Sequence, residues 1–245
     1  MTDTVTSAPA APTPSKGFVG RIVGVLFSPR ATFADIAARP RWLGVLALVV
    51  VVTAAGTFIF LSSEVGRTAA LDQQIRTMES FGRRVTDAQY AQMERMLPVY
   101  SYVGALSNVV VVPVITLAIA AVAFALFSAL LGGDATFAQV FSIVAHSGVI
   151  VALQTVFSLP LDYVRETLAS PTSLAVFLPF LDENTFVMRM LQWVDLFRVW
   201  WIVTLAIGFA VLYRRRTAPI AATMLAVYIV IAIVAAAVGT ALSGA

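Results

Sequence analysis

The sequence predicts an all-α membrane protein: a bundle of five transmembrane helices with an amphipathic N-terminal flank and a helical outer loop. Three observations predict it. Of 245 residues, 60% are hydrophobic and only 12% charged, about half the charge of a soluble domain. Mean hydropathy is +0.90. The apolar residues come in uncharged blocks longer than a globular helix needs, so lipid is the solvent of this fold.

Residues 1–15 are Thr, Ala, Pro and Ser with one Asp, too polar for a signal-peptide core and too Pro-rich to fold, and are expected as a disordered tail ahead of one membrane domain, residues 16–245. In the next stretch Phe18, Ile22, Val25 and Leu26 recur at helical spacing, and Lys16, Arg21, Arg30, Arg39 and Arg41 surround them. That pattern predicts an amphipathic segment on the membrane surface, its bases drawn to anionic headgroups or simply fixing orientation. Within it, Ser28 followed by Pro29 reads as an N-cap and first helical position, opening a second short helix with Phe33 and Ile36 on one face.

The first span is expected at residues 42–63, which carry no charge. Residues 64–95 read as two short helices outside the hydrocarbon, the first with Leu71, Ile75 and Met78 on one face, then a break at Gly82 and a capping box from Thr86 to Gln89. Residues 96–133 are uncharged throughout. Two spans there would put Arg214, Arg215 and Arg216 across the membrane from the basic N-terminal flank, so one span is read, at 109–131, with Pro113 near its outer end. Spans three, four and five are expected at 137–160, 191–213 and 218–242. The uncharged piece 167–181, holding Pro171 and Pro179, is too short to cross and reads as re-entrant or interfacial.

The resulting topology places the N-terminus in the cytoplasm. Inner segments carry Lys16, Arg21, Arg30, Arg39, Arg41 and Arg214 to Arg216 against Asp3, Asp35 and Asp134, while the outer loops carry seven Arg and nine acids. All basic residues except Lys16 are arginine and alanine is abundant, a coding bias that suggests a bacterial inner membrane.

Polar groups at membrane depth cost about 3 kcal/mol, which makes each a candidate site residue. Gln139, Ser142 and His146 form one stripe along span three, read either as a proton or solute contact or as structural hydrogen bonding between helices. Asp195 and Arg198 enter span four together and can pair at i, i+3, with Trp193, Trp200 and Trp201 as an interfacial anchor. Small residues recur every four positions at Ala121, Ala125, Ala129 and Gly133, and at Ala232 and Ala236, permitting close helix contact within the chain or with a second copy.

No catalytic constellation emerges. The single histidine is followed by Ser147, and adjacent helical residues diverge. Gly132-Gly133-Asp134 partly matches the Gly-x-Gly-Asp of intramembrane aspartyl proteases, yet Leu131 stands at the first glycine and Asp195 is expected on the opposite membrane side. With no cysteine and one histidine, a conventional metal site or cofactor is not expected. The bases are scattered rather than clustered along a phosphate track, so nucleic acid is not an expected partner.

Three segments, taken in order, resemble the bacterial branch of the Yip1 family: Gly24-Val25-Leu26-Phe27-Ser28-Pro29-Arg30-Ala31-Thr32-Phe33, Gly132-Gly133-Asp134-Ala135-Thr136-Phe137, and Leu196-Phe197-Arg198-Val199-Trp200 with Leu205-Ala206-Ile207-Gly208. The resemblance covers residues 17–242 and implies a five-span bundle with a cytoplasmic N-terminus and a C-terminus on the far side. Eukaryotic members contact prenylated small GTPases through an Asp-Leu-Tyr-Gly-Pro element that is absent here, and no catalytic or ligand-binding residue carries over. The expected role is a non-catalytic adaptor or organiser of membrane lipids, membrane-protein partners or further copies of itself. The alternative is a small transporter or channel subunit with a polar path near His146.

Overall fold

A computed structural model describes residues 16–80, 82–131, 134–182 and 185–242. The tail 1–15 and the glycine pair Gly132-Gly133 lie outside the described residues. Among those described, the structure is helical, with a single isolated bridge between Ser173 and Asp195 and no strand.

The N-terminal flank forms two helices, α1 (Phe18–Phe27) and α2 (Pro29–Ala38). Helix α2 begins at Pro29 as expected, because proline's fixed φ suits a first turn whose N–H has no partner anyway. The hydroxyl of Ser28 does not cap it. It accepts instead from Lys16 Nζ at 3.3 Å, and Lys16 also reaches Thr32 Oγ1 at 2.7 Å, tying α1 to α2.

This flank is not a strip lying free on the membrane surface. Val25, Phe33 and Ile36 are fully buried in the main hydrophobic core with residues of the later helices α6 (Phe137–Ser147) and α9 (Leu196–Leu212). The α1–α2 hairpin therefore completes the bundle, since Val25 on α1 and Phe33 and Ile36 on α2 find protein partners within reach.

Helix α3 (Leu43–Ser62) matches the first expected span. It turns sharply into α4 (Glu64–Ser80), where a Cβ on Gly66 would sit 1.9 Å from the Phe60 carbonyl oxygen, so only glycine fits. Leu71 is buried on α4 with Ile75 and Met78 half-buried on the same face, and the break at Gly82 has φ +71°.

The second expected span is larger than the sequence suggested. Helix α5 runs from Asp87 to Leu131, 45 residues, absorbing the second short helix foreseen for the outer loop. At about 1.5 Å per residue it is about 68 Å long, twice a hydrocarbon core. The Thr86–Gln89 capping box starts it as foreseen, with reciprocal bonds of 3.0 and 3.3 Å. The helix runs unbroken through Pro98, Gly104 and Pro113. Pro113 consequently stands near mid-helix rather than near an end.

The third span is α6 followed by α7 (Val149–Arg165), separated only at Gly148, whose N–H still bonds the carbonyls of Val144 and Ala145. The fourth is shorter than expected. A short helix α8 (Phe186–Trp193) ends at Val194, and α9 starts at Leu196 with 17 residues, about 26 Å. Helix α10 (Thr217–Leu242) ends the described chain. Among the described residues, four helical stretches are thus long and apolar enough to cross a membrane, and α1 and α9 are shorter apolar helices. The piece 167–181 forms a 3-10 turn (Leu174–Phe177) packed on α8.

Two glycines set the close approaches that organise the bundle. A Cβ on Gly208 would lie 2.4 Å from Ile143 Cγ2, locking α9 against α6, and one on Gly56 would lie 2.4 Å from Thr155 Cγ2, locking α3 against α7. Ala232 and Ala236 are buried on α10, whose neighbours are α8 and α9, so that ridge serves packing within the chain. Ala121, Ala125 and Ala129 of α5 are exposed.

Candidate functional site

The polar stripe of span three is built into the core at the bundle end that carries α1 and α2. Thr136 caps α6 in a second capping box, its hydroxyl accepting from Gln139 N at 3.4 Å while Gln139 Oε1 accepts from Thr136 N at 2.8 Å. The Gln139 amide also donates to the Ala37 carbonyl at 2.9 Å, fastening the end of α2. Ser142 is fully buried, its hydroxyl lacking a partner. His146, 1% exposed, donates from Nδ1 to the Ser142 carbonyl at 2.7 Å. A carbonyl can only accept, which fixes the proton on Nδ1.

Helix α1 brings a charge to the same region. Arg21, expected to meet lipid headgroups, faces inward: it is 5% exposed, its Nε lies 2.9 Å from Asp35 Oδ2, and its Nη1 donates to the Arg39 carbonyl at 3.1 Å. The reason is the hairpin turn at Ser28, which folds Asp35 back against α1 and gives the guanidinium a partner at lower cost than exposing α2's apolar face. Of the other bases, Lys16 ties the hairpin together, and Arg30, Arg39 and Arg41 are exposed.

At the opposite end, Asp195 and Arg198 do not pair through their side chains. Asp195, 2% exposed, is the N-cap of α9: its Oδ1 accepts from Phe197 N at 2.8 Å, from Arg198 N at 3.1 Å and from Gln154 Nε2 at 3.2 Å. Its Oδ2 accepts from Ser170 Oγ at 2.5 Å and Thr172 Oγ1 at 2.6 Å. The guanidinium of Arg198 lies over the Trp193 ring, 5.6 Å from its centroid, a cation–π contact. An i, i+3 ion pair loses here because the first turn's own N–H groups, which have no helical partner, claim the carboxylate.

Asp134 lies two residues before the Thr136 cap, whereas Asp195 meets Gln154, 18 residues beyond that cap along the α6–α7 stretch, or about 27 Å. The two carboxylates therefore do not form a dyad. Among the described residues, no group of three or more His, Asp or Glu side chains could hold a metal ion.

A polar row that the sequence reading passed over is Gln154, Ser158 and Asp162 on α7, spaced four residues apart on one face. They line a cleft of about 610 Å³ between α3, α4, α5 and α7, with Gln74, Tyr100 and Ser170. The four-residue spacing was available as a signal, but Pro160 and the nearby Arg165 make this stretch look like a span's exit.

Helices of this length and apolarity, packed about an apolar core with polar caps at either end, define a multi-pass helical membrane protein. The model of the Yip1 domain matches residues 23–239, nearly the whole chain, and the chain belongs to that family. A comparison with curated proteins finds no match, and neither does a comparison with solved structures.

Proposed function

We propose that this Yip1-domain protein is a non-catalytic organiser of a bacterial inner membrane, which gathers anionic lipids and, through them, membrane-protein partners at its cytoplasmic N-terminal end. The observation that supports it most is the two-faced hairpin. While one side of α1 is sealed into the core, Phe18, Val19, Val23 and Phe27 stand exposed, Phe27 at 83%. Arg30, Arg39 and Arg41 stand exposed on and just after α2. Apolar side chains with bases beside them suit the boundary between acyl chains and acidic headgroups, where each base contributes about 1 kcal/mol. Because the hairpin is fastened by Lys16, Arg21 and Gln139, this face is presented rigidly.

The transporter alternative draws less support, since the stripe of Gln139, Ser142 and His146 is held by bonds within the chain and residues 140–147 are buried. The test is lipid analysis of the full-length protein in nanodiscs assembled from a mixture of anionic and zwitterionic phospholipid. Enrichment of the anionic lipid that falls several-fold in Arg30→Gln/Arg39→Gln/Arg41→Gln supports the reading. No enrichment, or enrichment untouched by the triple change, refutes it. A solute flux abolished by His146→Leu in folded protein would put the transporter in its place.

A further inference from the structure

We propose that the cleft between α3, α4, α5 and α7 binds an amphiphile through a primary ammonium group, with Asp162 as its counter-ion. The cleft is two-toned. Along one wall the α7 row supplies Gln154, Ser158 and Asp162, and along the other Phe60, Leu61 and Val103 supply an apolar surface.

Its shape follows from glycines. Gly56 lets α3 meet Thr155 on α7, and Gly104 lets α5 meet Leu61 and Thr57 on α3, where a Cβ would fall 3.0 Å from either side chain. These close approaches draw the three helices together, while α4 and residues 168–171 add to the lining.

The polar wall is unfinished. Asp162 Oδ1 and Ser158 Oγ are buried from solvent and have no hydrogen-bond partner. Neighbouring groups are already engaged: Tyr100 donates to Gln74 Oε1 at 2.9 Å, and Gln154 donates to Asp195 at 3.2 Å. A carboxylate oxygen only accepts, so whatever satisfies Oδ1 must donate, and a polar atom sealed from water without a hydrogen bond is costly. A primary ammonium brings three donors, one for Asp162, one for the Ser158 hydroxyl and one for a glutamine carbonyl oxygen of the wall. A divalent cation fits less well, since the cleft supplies a single carboxylate. The apolar wall selects an alkyl or acyl chain attached to the amine, which describes both an aminophospholipid and a free long-chain amine.

The site stands at the other end of the bundle from the basic hairpin and does not depend on it. The experiment is native mass spectrometry of the full-length protein from nanodiscs of phosphatidylethanolamine and phosphatidylcholine in equal amounts, and separately after titration with dodecylamine or dodecanol. The expected result is retention of phosphatidylethanolamine over phosphatidylcholine, or of dodecylamine over dodecanol, by about tenfold, as one charge-assisted contact provides. Retention of the phospholipid identifies a lipid site, and retention of dodecylamine alone identifies a free amine. In either case Asp162→Asn abolishes the preference, while Glu166→Gln, at an exposed acid nearby, and the triple arginine variant keep it. Val103→Trp fills the cleft from the apolar side and must also abolish retention, which keeps the test decisive if Asp162→Asn does not fold. Equal retention of amine and non-amine probes, or a preference surviving both cleft variants, overturns the proposal.

Discussion

Replacing Asp195 separates two jobs that one carboxylate performs. Its Oδ1 caps α9 and holds Gln154, and its Oδ2 holds Ser170 and Thr172, so five donors from three parts of the chain converge on one 2%-exposed side chain. Asp195→Ala removes every acceptor. Loss of the cap costs about 1 kcal/mol; the Ser170 and Thr172 hydroxyls, 3.2 Å apart, can bond each other, so Gln154 and one hydroxyl are left without an acceptor at about 1 kcal/mol each, about 3 kcal/mol in all. Asp195→Asn keeps an oxygen where Oδ1 stands, and its amide can donate to hydroxyls that turn to accept, so its cost is about 1–2 kcal/mol. The assay is reversible unfolding in mixed micelles followed by tryptophan fluorescence, with hydrogen exchange read at Leu174 and Leu196. Their amides bond Val194 and Thr172, respectively, across the segment that Asp195 fastens. Exchange at both should quicken more in the alanine variant than in the asparagine variant. Equal destabilisation by the two changes, or a loss under about 1 kcal/mol for alanine, would refute the account of Asp195 as a hub.

Three further outcomes are expected. Arg21→Ala leaves Asp35 without its partner and should cost about 3–5 kcal/mol, whereas Arg21→Met with Asp35→Leu should recover most of it; a cysteine at Val25, inert in the parent, should become reactive only in the single variant. Gly208→Ala drives a methyl against Ile143 and Phe33 and should cost about 1–3 kcal/mol in unfolding, with Ile143→Ala in the same chain relieving part of it, and additive losses would show that the two helices do not meet there. Because the chain has no cysteine, single cysteines map its topology directly: Gln74 and Glu166 should label from outside intact cells, and Arg30 and Thr217 only after permeabilisation.

The Yip1 family and the all-helical membrane class were legible in the sequence, because uncharged blocks of lipid-spanning length have few other solutions. So were the start of α2 at Pro29 and of α5 after Thr86, since proline and the Thr-x-x-Gln pattern act on the first turn alone. The partners of the candidate residues were not. Asp195 and Arg198 looked like a pair at helical spacing, and only the break at Val194 made the aspartate a cap that gathers Gln154, Ser170 and Thr172 from elsewhere in the chain.

Amphipathicity likewise told that the N-terminal flank has one apolar side without telling what covers it. A lipid surface and a protein core are equally apolar to a hydrophobic pattern. The choice was made by tertiary geometry, in which Gly208 lets Phe33 reach α9, Gln139 fastens Ala37, and Asp35 meets Arg21 across the hairpin. Local chemistry, which one turn of chain can express, was set by the sequence by itself; contacts between residues tens of positions apart, and the cleft that α7 shares with α3, α4 and α5, existed only once the helices had packed.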